Sequence, residues 1–265
     1  MHPHRQTSDR PPGASRRDLV AIVGAGRLGG ALAAGLERAG VPVVGPLGRG
    51  ERPEGAGAIV LCVPDAEIPA AAEAVAGAAE LVGHTSGATP LSALEPARLA
   101  GARLFGLHPL QTFTAGSGPE AFAGAGCAVA GSAPEALAFA ASTARLLGMT
   151  PFEIDDAGRA AYHAAASVAS NFLVTLEAAA EAIAAGAGLE PAEARALMLP
   201  LVRRTLDNLA AVGPEAALTG PVARGDHATV ERQREAVEDV APHLLELFDE
   251  LVRHTRSLAG QEAPA

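Results

Sequence analysis

Short, unbroken apolar runs alternate with stretches of helical periodicity over residues 18–155, and the alternation stops after them. Leu19-Val20-Ala21-Ile22-Val23 is apolar at every position, the pattern of a strand buried on both faces. It ends at Gly24, and a helix is predicted over 27–39, closed by Gly40 where a left-handed C-cap belongs. Further strands are predicted at 41–45 and 58–63, at a run ending in His84-Thr85-Ser86-Gly87, and at 104–107 before His108-Pro109. Helices are predicted at 66–79, 89–99 and 134–147, and two last strands at 127–130 and 151–154. Strands alternating with helices imply a parallel sheet covered on both faces. From residue 156 to 260 the strand signals vanish. Helical periodicity runs over 158–185, 191–212 and 227–258, with Leu173, Leu176, Ala180 and Ile183 on one stripe.

Composition narrows the classes. Aromatic residues are 3% of the chain, with no Trp and one Tyr, so Ala, Leu and Val must fill the core. A net charge of -10 argues against nucleic acid, which needs a basic surface. No fully apolar run reaches the roughly 18 residues that a bilayer span needs, so no membrane is expected. Residues 1–17 (MHPHRQTSDRPPGASRR), including His2 and His4, have no apolar core and read as a disordered leader. With no export signal, the expected location is the cytoplasm. Cys62 and Cys127 sit alone in apolar surroundings and read as small buried hydrophobes, so no metal is expected. All 20 basic residues are Arg, and the absence of Lys removes a common proton donor.

The first strand runs directly into Gly24-Ala25-Gly26-Arg27-Leu28-Gly29, and a helix follows. In that context Gly24 allows a tight turn, Gly26 lets the backbone approach a diphosphate, and Gly29 lets helix and strand pack closely. The helix N-terminus then presents unpaired amides and a positive dipole end to phosphate. The fold class expected is therefore α/β: a Rossmann-type dinucleotide-binding domain at 18–155 and an all-helical domain at 156–260. The second strand is followed by no acid to accept from a ribose 2′-OH, whereas Arg49 and Arg52 suit a 2′-phosphate. NADP(H) is expected in preference to NAD(H), with Arg27 able to stack on adenine or reach phosphate.

In open sheets ligands bind beyond the carboxyl ends of strands. Val63-Pro64-Asp65, His84-Thr85-Ser86 and His108 fall there, with Val63, Pro64, Asp65 and Ser86 expected to line the cofactor. On the helix at 158–185, His163, Ser167 and Asn171 recur every fourth residue and share a face, with Ser170 beside it. Imidazole is the side chain that ordinarily titrates near neutrality, where an acid serves best, which makes His163 the expected acid and His108 a second candidate. Arg224, in the loop Leu218–Asp226, suits a carboxylate, and Asp226 suits an N-cap.

GAGRLG at 24–29, VPD at 63–65, HTSGA at 84–88, HPLQTF at 108–113, YHAAASVASN at 162–171 and ALTGPVARGD at 217–226 together resemble a bacterial family of Rossmann-like oxidoreductases of largely unknown function. That family has a helical C-terminal domain and is similar to ketopantoate reductase, pyrroline-5-carboxylate reductase and the 6-phosphogluconate dehydrogenase group. The resemblance implies a C-terminal domain of the 6-phosphogluconate dehydrogenase kind that binds substrate and pairs two copies as a homodimer. It implies an NADPH-dependent reduction of a small 2-oxo acid, sharpest for 2-dehydropantoate, with pyrroline-5-carboxylate imine reduction as the alternative. In the similar reductases the first interdomain helix carries a Lys four residues before an Asn. Asn171 matches the Asn, and Ser167 stands where the Lys belongs. That departure leaves open a non-catalytic NADP(H)-binding sensor or interaction protein.

Overall fold

The computed structural model describes residues 19–261, so the leader at 1–17 lies outside the described residues. The chain divides into two compact units between Ser167 and Val168.

The first unit contains strands β1 (Val20–Val23), β2 (Val43–Leu47), β3 (Ala58–Leu61), β4 (Leu81–His84), β5 (Arg103–Leu110), β6 (Gly126–Gly131) and β7 (Thr150–Glu153). Its helices are α1 (Arg27–Arg38), α2 (Ile68–Ala74), α3 (Glu95–Leu99) and α4 (Pro134–Leu146), and α5 (Arg159–Ala169) begins within it. The strands form one sheet in the order β2-β1-β3-β4-β5-β6-β7. Both faces are buried, as the unbroken apolar runs require. Val20, Ile22, Ala58 and Val60 join Leu32 and Leu36 of α1 and Ala136 and Ala140 of α4 in one core layer. Ala21, Ile59 and Leu61 join Ile68 of α2 and Ala97 of α3 in the other. Each fully buried Leu or Ile there contributes roughly 1.5–3 kcal/mol.

Two features differ from the expectation of an all-parallel sheet. β6 runs antiparallel to β5, and β7 runs parallel to β6. The segment between Leu110 and Gly126 holds only the 3-10 turn Pro119–Phe122, so no crossover helix returns the chain to the far edge. β5 is also longer than its apolar run suggests. Pairing of His108 with Ala128 and of Leu110 with Gly126 keeps the strand extended to Leu110, so His108 lies on a strand and not in a loop after it.

The second unit holds α6 (Asn171–Ala184), α7 (Pro191–Val212), α8 (Pro214–Ala217), α9 (His227–Val240) and α10 (Leu245–Leu258). The helix expected over 158–185 is interrupted at Ser170, whose backbone (φ -122°, ψ -67°) leaves the helical region. Neither Pro nor Gly stands there to signal it. The helix expected over 227–258 breaks at Ala241-Pro242, because Pro cannot donate to the preceding turn and pushes the residue before it out of helical geometry. Asp226 caps α9, accepting from the Thr229 amide at 3.1 Å. Gln261 Nε2 donates to the carbonyls of Val222 and Ala223, each at 3.0 Å, and pins the loop that carries Arg224. Arg195 pairs bidentately with Glu181, and Arg234 with Asp249.

The stretch Arg159–Ala187 is long and apolar enough to cross a membrane by length and composition, with a mean hydropathy of 1.3 over its most apolar window. Charged and polar residues interrupt it, which is why it escapes a search for unbroken apolar runs.

Candidate functional site

The glycine turn has the geometry that its spacing predicts. Gly24 is left-handed (φ 114°), and a Cβ there would collide with the Cys62 carbonyl oxygen at the end of β3. A Cβ on Gly29 would collide with the Gly24 carbonyl. These two glycines therefore let strand, turn and helix come together. Gly26 differs. It is the N-cap of α1, in ordinary extended geometry, and a Cβ on it would meet nothing within 4 Å. No side chain caps this end of α1, so its first amides remain available to a ligand. Open space in front of Gly26 and uncapped amides behind it suit a diphosphate. Arg27 is exposed beside them and Leu28 is half-buried.

Arg49 lies two residues past β2, exposed, and pairs with Glu67 at 3.1 Å. Glu51, the nearest acid after β2, turns its carboxylate onto the Gly48 amide. An exposed pair such as Arg49–Glu67 contributes at most about 1 kcal/mol, less than the roughly 1.5–3 kcal/mol of a hydrogen bond to a charged group. A phosphate can therefore displace Glu67.

Val63, Pro64 and Asp65 follow β3, with the Val63 side chain against Gly24. Ser86 Oγ donates to Asp65 Oδ2 at 2.8 Å and accepts from the amides of Ala88 (3.2 Å) and Thr89 (2.9 Å). Its hydroxyl is thus committed to shaping the loop. Behind this loop His84 is fully buried. Its Nδ1 accepts from the Ser86 amide at 3.2 Å, which places the ring proton on Nε2, and Nε2 has no hydrogen-bond partner of ordinary geometry. Burial and then the Arg159 charge push His84 down to about 4, against the pull of the Pro90 carbonyl, Asp65 and Asp156.

Three rings meet at the carboxyl edge of β4 and β5. A Cβ on the buried Gly87 would lie 2.7 Å from His108 Cε1, 2.9 Å from His108 Nε2 and 2.9 Å from His163 Cδ2. Both imidazoles thus close on the bare Cα of one glycine, with ring centroids 6.2 Å apart. His108 Nδ1 is 2.7 Å from the Tyr162 hydroxyl, and the two rings stand edge to face. Burial, then His163 and Arg159, push His108 down to about 4, so its ring is neutral near pH 7. Arg159 is only 3% exposed, with its guanidinium against Gly106 and paired with Asp156 at 2.8 Å. Cys62 and Cys127 are held near 12 by burial and remain thiols.

The structure therefore brings together His108, His163, Asp65 and Ser86 of the residues marked in the sequence, and adds Tyr162 and Arg159. Arg159, Tyr162 and His163 sit at i, i+3 and i+4 of α5 and share one face. That spacing was legible, but an Arg in an apolar helix reads as solvated until its burial is seen. Ser167 is half-buried near the end of α5, while the break at Ser170 interrupts the single face on which Asn171 was placed with it. Asn171 opens α6 exposed, and Arg224 is exposed in its loop. Among the described residues, no three His, Cys, Asp or Glu side chains are grouped to hold a metal. A recess of about 540 Å³ opens between Val129, Gly131, Leu137, Glu153 and Asp155, where two acids and no cation make a poor place for a phosphate.

Residues 125–255 match a family described as a domain of unknown function, DUF2520. A provisionally assigned NADP oxidoreductase from Bacteroides fragilis is similar in structure, with a TM-score of 0.76 at 23% identity over 92% of this chain and 100% of that one. A protein from Thermotoga maritima follows at 0.71 and 25%, covering 91% and 98%. The reductive aminase from Aspergillus terreus, in complex with NADPH and ethyl-5-oxohexanoate, reaches 0.63 at 17%, covering 92% and 96%. A comparison with curated protein sequences returned no significant match. The resemblance to Rossmann-like oxidoreductases with a helical C-terminal part thus holds for the fold.

Proposed function

We propose that this chain is an NADPH-dependent reductase of a small carbonyl or imine compound, working at the carboxyl edge of its sheet. The observation that carries this reading is the meeting of His108 and His163 on Gly87, on the sheet whose first turn suits a diphosphate. The NADPH and oxo ester bound by the reductive aminase of similar fold support the cofactor and the substrate class.

The amides at the start of α1 hold the diphosphate and Gly26 admits it. Arg49 exchanges Glu67 for a 2′-phosphate. Val63, Pro64, Asp65 and Ser86 line the next part of the path. When bound, the reduced cofactor supplies a hydride to the carbonyl or imine carbon. The oxygen or nitrogen left with the electron pair then needs one proton, and His163, one turn before Ser167 at the Lys position, donates it in place of the missing Lys. Ser167, Ser170, Asn171 and Arg224 are assigned to the substrate. A small 2-oxo acid fits an Arg contact, with 2-dehydropantoate the first to test. The likeness to a reductive aminase favours a cyclic imine, such as pyrroline-5-carboxylate, as the second.

We also assign a homodimer to the helical unit. Val174, Leu197 and Leu201 are 70%, 62% and 67% exposed, and the buried apolar residues of this unit are few: Ala184, Ala194, Val230, Val237 and Ala241. Exposed apolar surface on this scale calls for a cover. The Glu177 and Glu181 side chains along α6 suit a wet protein interface better than lipid.

The test is NADPH consumption against a panel of oxo acids and imines. His163→Ala is expected to lower kcat roughly 10²- to 10⁴-fold while calorimetry shows unchanged NADPH binding. A wild-type protein that binds NADPH and oxidises it with no member of the panel overturns the reductase reading.

A further inference from the structure

Tyr162 has no part in the proton donation assigned above, yet it is held with care. Its ring is wedged edge-on between Phe152 of β7 (centroids 5.8 Å apart) and His108 of β5 (5.6 Å), with its hydroxyl 2.7 Å from His108 Nδ1. A hydrogen bond between a neutral phenol and a neutral imidazole runs one way by chemistry. The phenol is the stronger acid and the bare ring nitrogen the stronger base, so the hydroxyl donates and Nδ1 accepts. The remaining ring proton must then sit on Nε2, the nitrogen that looks toward Gly87. His84 gives the same outcome with no ambiguity of donor, because a backbone amide holds its Nδ1.

We infer that Tyr162 is a positioning residue that locks His108 in the Nε2–H tautomer, so that a neutral imidazole N–H stands at the Gly87 edge ready to donate a hydrogen bond to the atom that gains charge during reduction. Only the final clause rests on the reductase reading. The tautomer itself is a property of the free protein. A neutral imidazole stabilises a developing anion without surrendering its proton, which leaves proton transfer to His163 and gives the two rings different duties. Both partners stay in the required state. Burial keeps the phenol protonated up to about 12, and His108 remains neutral down to about 4.

The test uses the full-length protein without cofactor, labelled with nitrogen-15, and reads the two-bond couplings of the His108 ring. The expected spectrum has the protonated nitrogen coupled to both carbon-bound ring protons, the signature of Nε2–H. Tyr162→Phe is expected to turn this into a mixture of tautomers and to lower kcat about tenfold, the equivalent of one ordinary hydrogen bond, with NADPH affinity unchanged. A wild-type ring protonated at Nδ1, or a tautomer indifferent to Tyr162→Phe, overturns the inference. Because Tyr162 is the only Tyr and Trp is absent, tyrosinate absorbance reports this hydroxyl alone. It is expected to emerge above the ordinary phenol range, near pH 12, because burial disfavours the phenolate. Nε2–H intact in a protein that reduces no substrate instead supports the tautomer and sinks only the reductase reading.

Discussion

Ser86 Oγ and Asp65 Oδ2 are 2.8 Å apart, a hydrogen bond that ties the loop after β4 to the turn after β3. The Ser86 amide is held in turn by His84 Nδ1. One side chain thus fixes the backbone that leads into Gly87, and Gly87 is where the two imidazoles close in. The loop is shaped from beneath by a buried ring and from the side by a carboxylate, before any ligand arrives.

The three motif glycines should separate by experiment. Gly29→Ala forces a methyl into the Gly24 carbonyl, and a loss of about 1–3 kcal/mol in urea unfolding is expected. Gly26→Ala meets no atom and needs no unusual backbone, so stability should hold within about 0.5 kcal/mol. Its NADPH affinity should nevertheless fall at least about tenfold, because the methyl stands where a diphosphate approaches. Gly26→Ala with normal affinity by calorimetry would remove the turn from the binding site.

Arg49→Ala should weaken NADPH roughly 10- to 100-fold, the loss of one charge-assisted contact, and leave NADH little changed. Glu67→Gln frees Arg49 from its exposed partner and should tighten NADPH slightly without altering NADH. Equal changes for the two nucleotides would show that Arg49 does not read the 2′-phosphate.

Stability should fall in mild acid. His84 sits at about 4 in the folded chain, against 6.5 for a free imidazole, so the unfolded chain binds more protons between those values. The contribution is complete above pH 6.5 and is lost as pH falls toward 4. By linkage the span is roughly 3 kcal/mol for this fully buried ring. Half-buried His108 should add a smaller slope of the same sign. Burial and the Arg159 charge act together on His84 and outweigh the opposing pull of the Pro90 carbonyl, Asp65 and Asp156. Urea midpoints taken from pH 7.5 to 4.5 should slope less in His84→Gln than in the wild type. Identical slopes would place the acid sensitivity elsewhere.

Sedimentation should give twice the chain mass for the wild type, and Val174→Asp with Leu201→Asp should return it to one. Two charges on faces that are 70% and 67% exposed add little strain within a single chain, so retained helicity would separate dissociation from unfolding. A wild-type protein sedimenting as one chain would leave the apolar faces of α6 and α7 without the proposed cover.

The parts of the fold legible in the sequence are those set by local rules. The run at 19–23, the turn at 24–29 and the left-handed Gly40 fixed β1, α1 and its end, and Asp226 announced α9 by its capping chemistry. The second strand was placed two residues early, because Pro46 reads as a breaker while the edge of a sheet tolerates it. Antiparallel β6 was not legible, since apolar runs carry no direction. The site divided along the same line. His108 and His163 could be marked from residue type and position. Tyr162 and Arg159 could not, because their roles come from contacts with β5 and β7 that are distant in sequence.

The reversal at β6 decides which way α5 approaches the sheet. β7 starts level with Leu110, at the carboxyl end of β5, and finishes level with Leu107. The chain therefore leaves β7 heading away from the ligand edge and must turn back, so that α5 passes Gly106 with Arg159 before reaching His108 with Tyr162 and Gly87 with His163. β6 and β7 run in the same direction, so the reversal at β6, and not the number of strands after it, sets this approach and the order of those three residues. What is constrained is the direction of the last strand: turned parallel to β5, it would release the chain at the ligand edge and dismantle the histidine pair without touching either histidine.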